Sequence, residues 1–348
     1  MKKMKNITAV ILIIIFALFC MISAGSVKSA VSDALDRCLT VIIPSLYAMM
    51  IASGLLVKSN TAQSAGKIIC GLFSMLAGYP AGAKILYSQY SENNISKKEA
   101  ELLSGVFFGA GGAFVFGCAS SYGFIGWLIL ISNILANIII AFVISFYLRK
   151  NSVQKSPHKK ISFSAEMLMD SVNSAGRSMA EICFAVIAFA VITAILKDFG
   201  ILSTISQVIS GLSGLSYETA ENILCAVLDV TAISRLAQEN FNLIPVVAGL
   251  VSFGGVCVFL QISAIFKGKL SVFPLIVFRI IASVFSYAIC RILLPLFIEG
   301  KSIAVSAISS RLHESSSPIP SILLIIMTAV LFYEYEKNIR NFQKTLDK

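Results

Sequence analysis

Charge is what this sequence has least of. Only 13% of its 348 residues are Asp, Glu, Lys or Arg, against 57% hydrophobic, and mean hydropathy is +0.86. A water-soluble globule of this length needs more polar surface than that, which excludes a soluble domain and makes lipid the main solvent. Histidine is nearly missing. His158 and His313 lie in polar stretches far from any carboxylate cluster, so neither a metal site nor a His-based catalytic set can be assembled. No Cys-x-x-Cys spacing occurs. The eight cysteines (Cys20, Cys38, Cys70, Cys118, Cys183, Cys225, Cys257 and Cys290) sit in or beside apolar segments and read as packing residues. Glu99 and Glu101, next to Lys97 and Lys98, read as solvated charges at a helix start. No catalytic residue, metal or cofactor is expected, and the chain is not expected to be an enzyme.

What is present is a series of long uncharged runs: 6–27, 38–57, 102–148, 182–196, 240–266 and 315–333, with 270–297 interrupted only by Arg279 and Arg291. A bilayer core of about 30 Å takes about 20 helical residues. Each run therefore predicts a transmembrane helix, and 102–148, with its glycine cluster and a turn at 120–123, predicts two. The first run follows Lys2, Lys3 and Lys5 and precedes Ala24-Gly25, as in a cleavable signal, but its length favours a retained helix.

The net charge of +10 is concentrated between these runs: at Lys2 to Lys5, at Lys97 and Lys98, in the stretch 149–160, at Lys267 and Lys269, and in the tail. That is the distribution of cytoplasmic loops rather than of a nucleic-acid surface. It predicts a multi-pass cell-membrane protein with both termini in the cytoplasm, and it requires the segments 67–84 and 217–238 to enter and leave on one side, as re-entrant hairpins or broken helices. The first contains Gly78, Tyr79, Pro80, Gly82 and Lys84, a composition that disfavours a continuous helix. Irregular backbone at that depth survives only where protein or water satisfies it, which implies a cavity.

Two halves share a pattern. Ser26-Val27-Lys28-Ser29-Ala30 matches Ser171-Val172-Asn173-Ser174-Ala175, Gly111-Gly112 matches Gly254-Gly255, each pair expected inside an apolar helix, and 131–137 matches 277–283. On the charge-derived topology the halves have opposite orientation. The predicted fold is therefore an all-α polytopic membrane helix bundle of two inverted repeats, each with a re-entrant or broken-helix hairpin. Small-residue clusters also serve close helix packing in any bundle. The boundaries are an N-terminal helix at 1–25, a first repeat at 26–148, a basic cytoplasmic linker at 149–163, and a second repeat at 164–300. An extracytoplasmic loop, a last transmembrane helix and a cytoplasmic tail occupy 301–348.

Polar groups at depth complete the candidate site. Arg279 lies ten residues after Lys269, about 15 Å into the membrane at about 1.5 Å per residue. A charge there costs roughly 2.5 to 3.5 kcal/mol and needs a partner or a cavity. Asp229, with Thr231 and Arg235 following, is the other such group. An ion pair of Asp229 with Arg279 or Arg235 and a ligand-binding role are the alternatives. Asn133 and Asn137 share a helix face.

The run Ala77-Gly78-Tyr79-Pro80-Ala81-Gly82-Ala83-Lys84, followed by the polar stretch with Lys97-Lys98-Glu99-Ala100-Glu101 and a Gly-rich apolar segment, resembles the sporulation integral membrane protein YlbJ family. The wider group is the nucleoside-recognition or Gate-domain membrane proteins, related to spore maturation proteins A and B. Only the Gly-Tyr-Pro-x-Gly-Ala motif is specific. The chain departs from the family in having 109–114 as Gly-Ala-Gly-Gly-Ala-Phe where an Asn-x-x-Gly-Pro pattern stands in the family. The resemblance implies a sporulation-associated protein with a transporter-like fold, moving or binding a small polar solute, nucleoside-like by the group's name. The alternative is a non-transporting membrane scaffold for spore envelope assembly. Expected partners are membrane lipids, a small-molecule solute and a second copy of the chain as a homodimer; nucleic acid is not expected.

Overall fold

The computed structural model describes residues 2–118, 125–148, 163–236 and 241–299, and residues 1–298 form one compact unit. The expected 120–123 turn, nearly all of the basic linker, the 301–348 segment and the side chain of Arg235 lie outside the described residues. The described residues are helical, without a strand.

Among the described residues five helices are long and apolar enough to cross a membrane: Ala24–Lys58, Ile125–Phe146, Ala165–Asp198, Ile244–Phe266 and Phe273–Phe297. The first combines α2 (Ala24–Arg37), a π-helical turn (Cys38–Ile42) and α3 (Ile43–Lys58), so the predicted 38–57 span is the second half of a longer rod. The predicted 6–27 span is likewise divided, between α1 (Lys2–Ile22) and the start of α2. The rod Ala24–Lys58 packs along α9 (Ala165–Asp198). They run antiparallel: Lys58 pairs with Asp170 at 3.4 Å and Gly54 abuts Ser171 at one end, while Ser26 and Lys197 share a cavity at the other.

Two helix pairs break between them, each for a legible reason. Between α4 (Thr61–Ala77) and α5 (Tyr79–Ser91) stands Gly78 at φ 101°, ψ 167°, which L side chains rarely reach. Pro80, in the first turn of α5, fits only a new helix start. Between α11 (Tyr217–Leu228) and the short pieces Val230–Ala232 and α12 (Ile233–Leu236) stands Asp229, in extended backbone at φ −137°. Its carboxylate accepts from Thr231 N–H at 3.1 Å and from the Thr231 hydroxyl at 2.6 Å, an N-cap that starts the next turn.

The glycine pairs correct the sequence reading. Neither lies inside a helix. Residues 104–111 separate α6 (Lys97–Leu103) from α7 (Gly112–Cys118), and Gly254 (φ 88°) separates α13 (Ile244–Phe253) from α14 (Gly255–Phe266), whose first residue, Gly255, has φ 83°. Consequently the described residues of 102–148 supply one long helix, α8 (Ile125–Leu148), rather than two. Close approach explains the glycines: a Cβ on Gly111 would lie 3.1 Å from the Ala77 carbonyl, and one on Gly255 3.0 Å from Val230 N. Glu99 is a second correction, because it is buried at 4% exposure. Ser96 accepts from Glu99 N–H at 3.2 Å, the N-cap bond that starts α6.

The remaining elements are α10 (Ile201–Ser213) and α15 (Phe273–Glu299). Phe142, Phe146, Val284 and Ile292 remain exposed on the outer faces of α8 and α15, as a surface in contact with lipid allows.

Candidate functional site

The helix breaks at Gly78 and Asp229 meet. Gly78, Tyr79, Pro80, Gly111, Asp229 and Thr231 line one small chamber of about 40 Å³, closed on its other sides by Ile42, Leu46, Phe114, Ile182, Val186, Cys257, Val258 and Gln261. Ile42 and Leu46 lie near mid-length of the rod Ala24–Lys58, and Ile182 and Val186 near mid-length of α9. The chamber therefore sits at the level where the two longest helices cross the middle of the bundle. A site of about 10 to 15 Å³ holds one water where polar groups receive it; this chamber has space for a few, with hydrogen-bonding groups at Asp229 and Thr231 and mostly apolar walls elsewhere.

Asp229 also lines a second cavity of about 350 Å³, together with Ser26, Ser29, Asp33, Arg37, Thr193, Lys197 and Asp198. The carboxylate of Asp229, 5% exposed, is thus on the wall common to a small inner chamber and a larger polar vestibule. It makes no ion pair with Arg279: its bonds go to Thr231.

Arg279 is fully buried elsewhere, among the other pair of breaks. It donates to Phe108 O at 2.8 Å, to Ser252 O at 3.4 Å, to Gly105 O, and to Asn137 Oδ1 at 2.6 Å. Asn137 in turn donates to Asn133 Oδ1 at 3.1 Å. The expected Asp229–Arg279 pair fails for a geometric reason. The guanidinium from α15 reaches the Gly105 and Phe108 carbonyls of the irregular 104–111 segment and the Ser252 carbonyl in the last turn of α13, the negative pole of that helix. Arg279, Asn133 and Asn137 are therefore a helix-tying cluster outside the chamber.

The other candidates divide in the same way. Gly254 lies against the Tyr79 ring, where a Cβ would come within 3.0 Å of Cζ. Gly82 faces Phe107 O, Gly112 faces Leu130, and Lys84 donates to Ser178 Oγ on α9. Arg235 belongs to α12. The sequence reading missed Gln261, Arg37 and Lys197. Gln261, one of two polar residues in α14, carried a usable signal. Arg37 and Lys197 were read as boundaries of apolar runs because a charge beside a span usually marks an interface.

No protein-family model matches this chain, and neither a curated protein nor a solved structure matches it.

Proposed function

We propose that this chain is an integral membrane protein of transporter type that binds and moves a small polar solute between its vestibule and its inner chamber. The observation that carries the reading is the position of Asp229, a buried carboxylate at a helix break on the wall shared by the two cavities. Ionisable groups at membrane depth mark substrate and ion pathways, and broken helices at a midplane site characterise secondary transporters. The vestibule, about 350 Å³, falls in the range of small-molecule sites, roughly 300 to 1,000 Å³. A nucleoside-like solute fits the vestibule and requires opening of the chamber.

Two inverted repeats with re-entrant hairpins are part of the proposal. Each half runs through a long helix, a break at Gly78 or Asp229, a break at 104–111 or Gly254, and a final long helix. Ser26 and Ser171, which begin the matching pentapeptides, lie at opposite ends of the antiparallel pair Ala24–Lys58 and Ala165–Asp198, as inversion requires. With the positive-inside assignment, the vestibule faces the extracytoplasmic side and both termini face the cytoplasm. The resemblance to the YlbJ and Gate-domain group adds a role in sporulation.

The test is thiol labelling of Thr231→Cys and Val258→Cys in a background without native cysteines, using small charged methanethiosulfonates added from either side of the membrane. Reaction at both positions, from the extracytoplasmic side in this conformation, supports a hydrated passage. Protection at both positions sinks it. It then leaves the second reading, a non-transporting scaffold, which one observation favours: the Arg279 donors to Phe108, Gly105, Ser252 and Asn137 fasten the breaks into a fixed bundle.

A further inference from the structure

We infer that Asp229 is the binding site of a monovalent cation, a proton or a sodium ion, held where the inner chamber meets the vestibule; this rests on the transporter reading only for what the cation would be coupled to. Four observations support it. The carboxylate is 5% exposed and bonded only to Thr231, with no ion pair among the described residues. A buried carboxylate without a directly bound cation is costly, so a cation in contact with it is the missing component. Its position adds to that need. Asp229 directly follows the C-terminus of α11, the negative pole of that helix, where a cation is favoured over an anion.

Ligand chemistry at the carboxylate agrees. Thr231 lines the chamber with Asp229, and its hydroxyl, bonded to the carboxylate at 2.6 Å, sets a second hard oxygen beside it, while the rest of the chamber wall is mainly apolar. Gln261, also on that wall, donates its amide nitrogen to Cys257 Sγ at 3.4 Å. One negative charge among neutral oxygens balances one positive charge. Among the described residues no three His, Cys, Asp or Glu side chains gather as a metal-binding group, so the lone carboxylate matches a monovalent rather than a divalent charge.

Arg37 supplies the fourth observation. Its guanidinium lines the vestibule with Asp229 and acts on it through space, yet Arg37 Nε is buried without a hydrogen-bond partner. Arg37 is thus a positive charge in the same vestibule that makes no ion pair with the carboxylate among the described residues, and it competes with an incoming cation. The other charged groups of the vestibule are Asp33, Lys197 and Asp198. Cys257 of α14 lines the chamber and Cys225 of α11 the vestibule with Asp229, and the charge of the carboxylate also reaches Cys38 in the π-turn and Cys118 in α7.

The experiment measures the thermal midpoint of the purified full-length protein in detergent. Sodium chloride is exchanged for choline chloride at constant ionic strength and pH 8, and separately the pH is lowered from 8 to 5.5 without sodium. A saturable rise with sodium identifies sodium as the ligand; a rise on acidification alone identifies the proton. In either case Asp229→Asn abolishes the response, while Asp33→Asn and Asp198→Asn retain it. Arg37→Gln lowers the half-saturating concentration at least threefold by removing the competing charge. The inference is overturned if the wild type responds to neither cation, or if Asp229→Asn responds as the wild type does. Should Asp229→Asn not fold, an unchanged half-saturation in Arg37→Gln overturns it instead. Binding is read here without translocation, so a chain that binds the cation but moves no solute overturns only the transporter reading.

Discussion

The hydroxyl of Tyr79 donates to the main-chain carbonyl of Val251, 172 positions later. This bond fastens the start of α5, at the Gly78 break, to the last turn of α13, at the Gly254 break. Gly254 completes the fit, because its φ of 88° and missing Cβ let the backbone pass the Tyr79 ring. The two halves of the chain are therefore joined directly beside the chamber.

Tyr79→Phe keeps the ring and removes the donor, leaving the Val251 carbonyl buried without that partner. The expected loss of stability is about 1 to 3 kcal/mol, the cost of an unsatisfied buried polar group. Thermal unfolding in detergent would measure it, and an unchanged midpoint would mean that the bond contributes nothing to the closed arrangement.

Gly82 makes a sharper prediction. A Cβ at this position would fall 2.1 Å from Phe107 O and 3.1 Å from Ser74 Cβ, and a backbone carbonyl cannot move aside as a side chain can. Gly82→Ala should cost about 1 to 3 kcal/mol or more through overpacking. Gly176, in α9 with no atom within 4 Å of its would-be Cβ, is the paired control. There the same substitution should gain about 0.5 to 1 kcal/mol from helix propensity. Expression level and unfolding midpoint of the two variants should move in opposite directions.

Much of the chamber was legible in the sequence because the residues that break helices announce themselves locally. Gly78 and Pro80 cannot continue a helix, and Asp229 is the lone acid in an apolar stretch. The apolar wall was not legible: Ile42, Leu46, Ile182 and Val186 face the chamber only because two long helices cross there, and nothing in their local sequence sets them apart from residues facing lipid. The same limit misplaced the glycine pairs. Gly111 and Gly254 were read as packing or binding glycines within helices, whereas their breaks are imposed by the approach of Ala77 and Tyr79 from other parts of the chain. Arg279 was recognised by its depth, but three of its four partners are main-chain carbonyls, which carry no sequence signal at all.

The ion pair between Lys58 and Asp170 sits at the end of the antiparallel helices, with side chains 33% and 62% exposed. Exposed pairs of this kind contribute about 0 to 1 kcal/mol. Asp170→Asn should therefore shift the unfolding midpoint little, and less in high salt. A large loss would show that this end is held by the pair rather than by the close contact of Gly54 with Ser171.

Arg279 should be the most demanding position in the chain. Its guanidinium spreads four hydrogen bonds over Gly105, Phe108, Ser252 and Asn137, so its removal leaves three carbonyls and an amide oxygen buried. Each bond to a charged group contributes roughly 1.5 to 3 kcal/mol, and a lysine, with three donors on a flexible stem, cannot reproduce the planar fork. Stability should fall in the order wild type, Arg279→Lys, Arg279→Gln. Asn137→Leu removes one acceptor and should cost less than either. Because the two residues share one network, the Arg279→Gln and Asn137→Leu effects should be non-additive, with a coupling of about 0.5 to 3 kcal/mol in a double-mutant cycle. Simple additivity would mean that Asn137 orients nothing, and that the main-chain carbonyls alone hold the arginine in place.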